Sequence, residues 1–195
     1  MIVGESIRVA GIVQGVGFRP TVWRLARECQ LVGRVWNDAH GVGIEAWGSA
    51  ERLDEFVRRL VDEQPPLARI DDVARAPLAA QSVPVAFSIE TSREGEVRTG
   101  VAADAATCPA CLAETMDPND RRYRYPFTNC THCGPRLSIV RSIPYDRPNT
   151  SMSAFPMCPA CQAEYDDPAD RRFHAQPLAC PECGSPVERK ISAPN

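Results

Sequence analysis

This sequence has almost no lysine and no long apolar run, and each absence excludes a class of protein. Lys190 is the only lysine, and 22 basic residues face 25 acidic ones, for a net charge of −3. A protein that binds the phosphate backbone normally carries a basic stripe and a positive charge, so nucleic acid is not an expected partner. No apolar run approaches the length that spans a bilayer, so a membrane is not expected either.

An export signal is also missing from the N-terminal residues. Residues 1–8 show no basic segment followed by an apolar one, so the sequence predicts a cytoplasmic protein. In a reducing cytosol, paired cysteines bind metal more often than they form disulfide bonds. The compartment matters here because the chain has nine cysteines, and eight of them lie in its second half.

Those eight cysteines form four CxxC pairs within a duplicated unit. In each unit eighteen residues separate the two pairs, and the units are offset by fifty residues. The pattern predicts two structural zinc ions, because Zn²⁺ prefers four sulfur ligands in a tetrahedron. The predicted ligands are Cys108, Cys111, Cys130 and Cys133 in one site, and Cys158, Cys161, Cys180 and Cys183 in the other.

Two questions about the cysteines stay open at this stage. Repeat logic favours units that close on themselves, but an interleaved matching of the four pairs is also possible. Disulfide bonds or a redox-active CxxC are the alternatives to zinc. The repeated motifs Asp120-Arg121-Arg122 and Asp170-Arg171-Arg172 are expected to pair their arginines with nearby acids.

Residues 5–91 alternate strand and helix patterns in the order βαββαβ, which predicts a ferredoxin-like α+β sandwich. Cys29 continues the helical stripe of Val22, Leu25 and Ala26, so it is predicted to pack in the core. Ser49 is the predicted N-cap of a second helix. Its predicted stripe comprises Leu53, Phe56, Val57, Leu60 and Val61.

Composition divides the chain into two domains. Residues 1–92 form the predicted sandwich, residues 93–106 are a polar, alanine-rich linker, and residues 107–190 are a small irregular domain with two zinc sites of four cysteines each. A zinc-stapled domain of this size needs little apolar core.

The loop between the first strand and the first helix has the features of an anion site. It contains Gly15 and Gly17, which let backbone N–H groups converge where the helix dipole is positive. Arg19 follows with a guanidinium that matches two phosphate oxygens. A GxG loop alone is a weak signal, and it often does no more than turn the chain.

These residues resemble a known signature. Val13-Gln-Gly-Val-Gly-Phe-Arg19, followed by Gly33-Arg-Val-Trp-Asn37, resembles the acylphosphatase motif. Together with the two zinc units and the segments 125–131, 145–147 and 171–177, the chain resembles the N-terminal portion of the HypF-type carbamoyltransferases, which mature NiFe hydrogenases.

The resemblance implies roles for single residues. Arg19 would hold the phosphate and Asn37 would orient the attacking water. The phosphate-binding loop would comprise Gln14, Gly15, Val16, Gly17, Phe18 and Arg19. The implied substrate is carbamoyl phosphate or another acyl phosphate, and its hydrolysis needs no cofactor, since an acyl phosphate already carries a good leaving group.

The resemblance also implies a longer protein. In that family carbamate is adenylated with ATP and transferred to a partner maturation protein, where it becomes a cyanide ligand of the hydrogenase iron. The sequence after residue 185 shows no ATP-site motif, so we expect a fragment, a truncated product or half of a split protein that does not transfer carbamoyl groups by itself.

Two other functions remain as alternatives. In the first, the chain is a catalytically silent, zinc-dependent module that binds a partner. In the second, it is a chaperone-like or nucleic-acid-binding finger protein, and the net negative charge disfavours this second alternative. His132 is predicted to be an exposed turn residue rather than a ligand. His174 is either a surface residue or one that supports the metal sites or the domain contact. Residues 135–157, with a strand-like piece at 137–140, have no predicted role beyond packing or docking.

Overall fold

The computed structural model describes residues 2–78, 82–93 and 101–186. None of the helices in these ranges has both the length and the apolarity to cross a bilayer. The first part, called the sheet domain, contains β1 (Val3–Ile12), α1 (Phe18–Glu28), β2 (Val32–Asp38), β3 (Gly41–Gly48), α2 (Ala50–Asp62), β4 (Arg69–Pro77) and β5 (Phe87–Ile89). The second part, residues 107–186, is called the finger domain. It contains α3 (Pro109–Met116), α4 (Pro159–Asp166) and short 3-10 turns at Thr131–Cys133, Leu137–Ile139, Arg147–Asn149 and Ser151–Ala154.

The strands form one mixed sheet in the order β4-β1-β3-β2-β5. Its centre follows the alternation in the sequence, since Ile7 pairs with Ile44 and Val9 pairs with Val42, all of them buried. β1, β3, β2 and β4 are joined by antiparallel pairs. The short β5 adds a parallel edge to β2. The predicted ferredoxin-like α+β fold, followed by a small domain with two cysteine clusters, is confirmed.

Both helices of the sheet domain bury most of their predicted stripes in a shared core. Val22, Leu25 and Ala26 of α1 are buried, and Cys29 just beyond the helix is buried with them, as predicted. In α2, Leu53, Phe56 and Leu60 are buried and Val57 is partly buried. Val61 is exposed, so its prediction as part of the buried stripe is wrong. Ser49 caps α2, because its hydroxyl oxygen accepts a hydrogen bond from the Arg52 N–H at 3.4 Å.

The finger domain is built from turns rather than from a sheet. Each unit begins with a cysteine as N-cap and a proline at the first helical position, Cys108-Pro109 before α3 and Cys158-Pro159 before α4. Proline suits that position because its missing N–H would have no partner there. The predicted strand at 137–140 is wrong. Leu137–Ile139 forms a 3-10 turn, and Val140 makes a single bridge to Thr150.

The repeated arginines connect the two finger units reciprocally. Arg121 and Arg122 of the first unit pair with Glu164 of the second. Arg171 and Arg172 of the second unit pair with Glu114 of the first. The prediction that these arginines pair with acids close to them in the sequence is therefore wrong. Each acidic partner lies in the other unit, 42 to 58 residues away. Burial raises the pKa of Glu164, but its hydrogen bonds from Arg122 and Arg121 outweigh that effect and lower it to about 2.

The described part of the predicted linker packs against both domains. Val101 forms a parallel bridge with Gln14, and Ala102 lies against the sheet-domain core. The carbonyl oxygen of Ala105 accepts a hydrogen bond from the Arg136 guanidinium at 3.2 Å. Residues 94–100 of the predicted linker and residues 187–190 of the predicted finger domain lie outside the described residues. The domain limits therefore stay predictions.

Replacing Glu164 with glutamine should weaken the finger domain. The change leaves the guanidinium of Arg122, 2% exposed, without its carboxylate. Breaking a buried ion pair costs about 3–5 kcal/mol, and because Glu164 itself is partly exposed we expect about 2 kcal/mol. The measurement is the denaturant midpoint of the zinc-loaded chain.

Glu55→Gln is the matched control for this substitution. Its partner Arg58 is exposed, and water screens such a surface pair, so its loss should hardly move the midpoint. Equal shifts of the midpoint in the two variants would contradict a stabilising role for the reciprocal pairs.

Candidate active site and metal centres

The candidate active site begins at the loop between β1 and α1. Gly15 and Gly17 adopt left-handed conformations with φ of 75° and 79°, which cost glycine little. Gly17 is the N-cap of α1, and no side chain caps this helix end. Peptide N–H groups of the first turn and the positive end of the helix dipole therefore meet at the loop, an arrangement that binds anions. The side chains of Val16 and Phe18 are buried, which leaves their backbone groups for the predicted phosphate contact.

Arg19 and Asn37, the two predicted catalytic residues, lie together beside this loop. Arg19 is in the first turn of α1 and Asn37 is near the end of β2, and both are buried. With its carboxamide oxygen toward the guanidinium, Asn37 accepts hydrogen bonds from Arg19 Nε at 3.1 Å and Nη2 at 3.3 Å. These bonds hold the planar guanidinium in one orientation. The structure brings the two residues together, and their catalytic roles stay predictions.

The side chain of Gln14, another predicted phosphate-binding residue, is used elsewhere. It is fully buried, and its Nε2 donates to the carbonyl oxygens of Asp38 at 2.7 Å and Gly41 at 3.0 Å. Its Oε1 accepts a hydrogen bond from the Tyr145 N–H at 2.9 Å. Gln14 thus ties the β2–β3 turn to the finger domain, and any phosphate contact from it is left to its backbone.

The finger domain lies directly on the glycine loop. A Cβ atom added at Gly15 would be 2.6 Å from Cβ of Pro135 and 2.9 Å from Cδ1 of Tyr145. One added at Gly17 would be 3.0 Å from Cβ of Thr131. Glycine is therefore required here for the close approach of the second domain as well as for backbone conformation.

A carboxylate of the finger domain contacts the central arginine. Asp146 Oδ1 accepts a hydrogen bond from Arg19 Nη2 at 2.7 Å, in an ion pair whose side chains are 9% and 20% exposed. The hydroxyl of Ser92 is a more distant neighbour of Arg19 Nη1, at 3.4 Å. The position predicted to hold phosphate is therefore adjacent to a negative charge from the protein itself.

The remaining walls of the cavity also come from the finger domain. Around the loop and Arg19 it is lined by Thr131, Gly134, Tyr145, His174 and Gln176 among others. The space between these walls is about 20 Å³, which accommodates about one water molecule. An acyl phosphate is larger than this space.

His174 is neutral in this setting. Burial, followed by the nearby Arg19 charge, lowers its pKa to about 4. Its ring packs against Tyr165 at 4.9 Å and Phe173 at 4.6 Å between centroids, and its backbone is left-handed with φ of 55°. Of the alternatives left open for His174, the structure favours a place in the domain contact.

Sequence reasoning named no role at this site for Tyr145, Asp146 or Gln176. They lie in the segments 145–147 and 171–177, which carry part of the family resemblance. That resemblance is the one signal in the sequence that could have indicated a role for them. Charge pattern and periodicity carry no information about a contact such as Asp146 to Arg19, which spans 127 residues.

The eight predicted metal ligands form two separate clusters, one from each unit. Within each cluster the Sγ atoms all lie within 4.8 Å of one another, and shorter pairs are 3.6 to 3.9 Å apart. Four sulfurs around zinc at about 2.3 Å are about 3.8 Å apart, so the sulfur sets fit a tetrahedral ion. The clusters are Cys108, Cys111, Cys130 and Cys133, and Cys158, Cys161, Cys180 and Cys183. The matching favoured by repeat logic is confirmed, and His132 is exposed as predicted.

Arginines from the opposite unit donate to one sulfur in each cluster. Arg171 Nη1 lies 2.8 Å from Cys111 Sγ, and Arg121 Nη2 lies 3.1 Å from Cys161 Sγ. A metal site of four thiolates carries two net negative charges, and these cations offset them. The donor set and its surroundings thus fit a structural zinc ion.

The purified chain should contain two zinc ions, and Cys111→Ser should reduce this to one, because the clusters share no ligand. Metal analysis on the folded protein is the measurement. Cys29→Ser is the control and should keep both ions, since Cys29 lies in the sheet-domain core. Two ions retained in Cys111→Ser, or thiols that cycle with a disulfide without metal, would contradict the assignment.

Two families of known proteins match separate parts of the chain. Residues 5–89 match the Acylphosphatase family, and residues 107–140 and 157–188 match the HypF finger family. The carbamoyltransferase HypF of Rhodobacter capsulatus is 57% identical over 151 residues, which are 77% of this chain and 20% of that protein. Carbamoyltransferase HypF2 of Cupriavidus necator is 55% identical over 152 residues, 77% of this chain and 19% of that protein. An acylphosphatase of Mannheimia succiniciproducens is 50% identical over 66 residues, 33% of this chain and 72% of that protein.

A solved structure contains both domains. The crystal structure of full-length HypF in the phosphate- and nucleotide-bound form matches with a TM-score of 0.90 and 47% identity, over 94% of this chain and 24% of that chain. The chain thus spans about a fifth of the length of the carbamoyltransferases it matches. Through its sheet domain the chain belongs to the acylphosphatase family, and its two domains together are similar to a part of the HypF-type carbamoyltransferases.

Proposed function

We propose that the sheet domain hydrolyses acyl phosphates and that carbamoyl phosphate is its substrate. The observation that carries the proposal is the meeting of Arg19, Asn37 and the uncapped first turn of α1. A guanidinium and peptide N–H groups together match the oxygens of a phosphate dianion. The sequence similarity to acylphosphatases and to HypF carbamoyltransferases supports hydrolysis of an acyl phosphate.

The reaction needs positioning and charge stabilisation more than acid catalysis. Water attacks phosphorus, the bond from phosphorus to the acyl oxygen breaks, and phosphate and carbamate leave. Charge spreads over the equatorial phosphate oxygens in the transition state, and Arg19 with the loop N–H groups stabilises it. The Asn37 carboxamide, fixed beside Arg19, orients the attacking water. This assigns the phosphate-binding role to the loop from Gln14 to Arg19 through its backbone.

The finger domain has a structural part in this proposal. Zinc bound by the eight thiolates would cross-link segments that have little apolar core of their own. The cross-linked domain then holds Tyr145, Asp146 and His174 against the sheet domain. Its thiolates and arginines take no part in the hydrolysis.

The place of this activity in a longer route is part of the proposal. In the full-length carbamoyltransferase, carbamate would be adenylated with ATP and transferred to a hydrogenase maturation protein, to become a cyanide ligand of the NiFe hydrogenase. We place the protein in the cytoplasm, where thiols stay reduced and available to zinc.

Arg19→Ala should reduce kcat/KM for carbamoyl phosphate by about 10²–10³-fold or more, because one preorganised donor contributes this much and Arg19 is also charged. Phosphate release from the full chain is the measurement, with zinc content as the test of folding. Arg24→Ala is the control, since Arg24 is an exposed residue of the same helix that pairs with Glu28. Unchanged turnover in Arg19→Ala would exclude the proposed mechanism.

Asn37→Ala should lower kcat by about 10²-fold, as expected when a group that positions the attacking water is lost. The inhibition constant of inorganic phosphate should change by a smaller factor than kcat, because Arg19 and the loop remain although the guanidinium loses the two bonds that orient it. Steady-state kinetics with phosphate as competitor measure both quantities. The reverse pattern, weaker phosphate binding at unchanged kcat, would assign Asn37 to binding instead.

One observation favours a second candidate, a catalytically silent module that binds a partner through its zinc units. The charge of Arg19 is already paired with Asp146. A chain that binds inorganic phosphate but hydrolyses neither carbamoyl nor acetyl phosphate would support this candidate over the enzyme.

A further inference from the structure

Asp146 lines a cavity that adjoins the candidate anion site. The small cavity at the glycine loop shares lining residues with this second cavity, which measures about 390 Å³. Arg19, His174 and Gln176 line both cavities, whereas Asp146 lines the second. A phosphate held by Arg19 would therefore have its acyl group close to this carboxylate.

The backbone around Asp146 is held from both domains. The preceding residue, Tyr145, donates its N–H to Gln14 of the sheet domain at 2.9 Å. The following residue, Arg147, donates its N–H to Gln176 Oε1 at 2.8 Å, and its guanidinium donates to the carbonyl oxygen of Leu178 at 2.8 Å. The carboxylate can rotate about its own side chain but cannot leave the site with its backbone.

The Asp146 carboxylate has acceptor capacity that the protein does not fill. Within the described residues, Arg19 is the one donor to this side chain. A carboxylate has about four acceptor positions, and this one is only 20% exposed to water. The neighbouring His174 is neutral, so it supplies no second positive charge.

We propose that Asp146 selects acyl phosphates whose acyl carbon carries an amino group. The inference rests on the proposed function and adds to it a residue that determines specificity. When phosphate binds Arg19, the guanidinium exchanges Asp146 for phosphate oxygens. The amino group of carbamoyl phosphate then donates its N–H groups to the Asp146 carboxylate.

Acetyl phosphate cannot make this exchange. Its methyl group has no donor, so Asp146 would remain partly buried beside a dianion with no donor from the substrate. Leaving a charged acceptor unsatisfied is unfavourable, and sites built to hydrogen-bond an N–H discriminate strongly against analogues that lack it. The two substrates are close in size, so the difference between them reports on the amino group.

The test compares kcat/KM for carbamoyl and acetyl phosphate in the full chain, with spontaneous breakdown subtracted and zinc content confirming the fold. The unsubstituted chain should prefer carbamoyl phosphate by about tenfold or more. In Asp146→Ala the preference should fall to nearly one, with acetyl phosphate turnover unchanged or raised. Asp146→Asn keeps an acceptor without the charge and should retain part of the preference.

Glu90→Gln is the matched control. Glu90 is an exposed acid that lines the same second cavity without pairing with Arg19, so its loss should leave the preference unchanged.

The outcomes separate the inference from the function on which it rests. A preference that is the same in Asp146→Ala, in Asp146→Asn and in the unsubstituted chain would overturn the role of Asp146 while leaving the hydrolase in place. An equal loss of preference in Glu90→Gln would also overturn it, because the cause would be general charge. Hydrolysis of neither substrate by the unsubstituted chain would overturn the proposed function and this inference together.

Discussion

Arg19 is the point on which the two domains of this protein depend. A buried guanidinium needs hydrogen-bonding or charged partners. Arg19 has one partner from each domain, the Asn37 carboxamide of the sheet domain and the Asp146 carboxylate of the finger domain. The first contact sets the direction of the guanidinium. The second gives the guanidinium a negatively charged partner from the other domain, with which a phosphate would have to compete under the proposed function.

The contact at Arg19 requires a precise surface from a domain with little core. The apolar clusters of the finger domain consist of its cysteines with Ala175 and Leu178, and are much smaller than the core of the sheet domain. Tyr125, Tyr145 and Phe173 are also buried, but outside these clusters. Reciprocal ion pairs supplement that small core. Each pair of arginines contacts a glutamate and a cysteine sulfur of the other unit, so the two cysteine clusters are linked electrostatically.

Local patterns predicted the features that depend on neighbouring residues. The alternation of strands and the helical stripes predicted the sheet domain, including burial of Cys29, because burial of one face imposes a period on the sequence. Spacing of cysteines predicted both clusters, since a CxxC turn supplies two sulfurs by itself. Three predictions were wrong. Val61 near the end of α2 is exposed, Leu137–Ile139 form a 3-10 turn rather than a strand, and the repeated arginines pair with acids of the other unit.

The sequence by itself thus determined the order of the domains, the two sets of four clustered cysteines and the glycine loop that leads to Arg19. These features are encoded within short segments, in the spacing of cysteines and glycines. Only the tertiary structure decided that Gln14 joins the domains, that the arginine pairs cross between units and that Asp146 meets Arg19. These contacts join residues far apart in the chain, and their geometry follows from how two folded surfaces pack, which no local periodicity records.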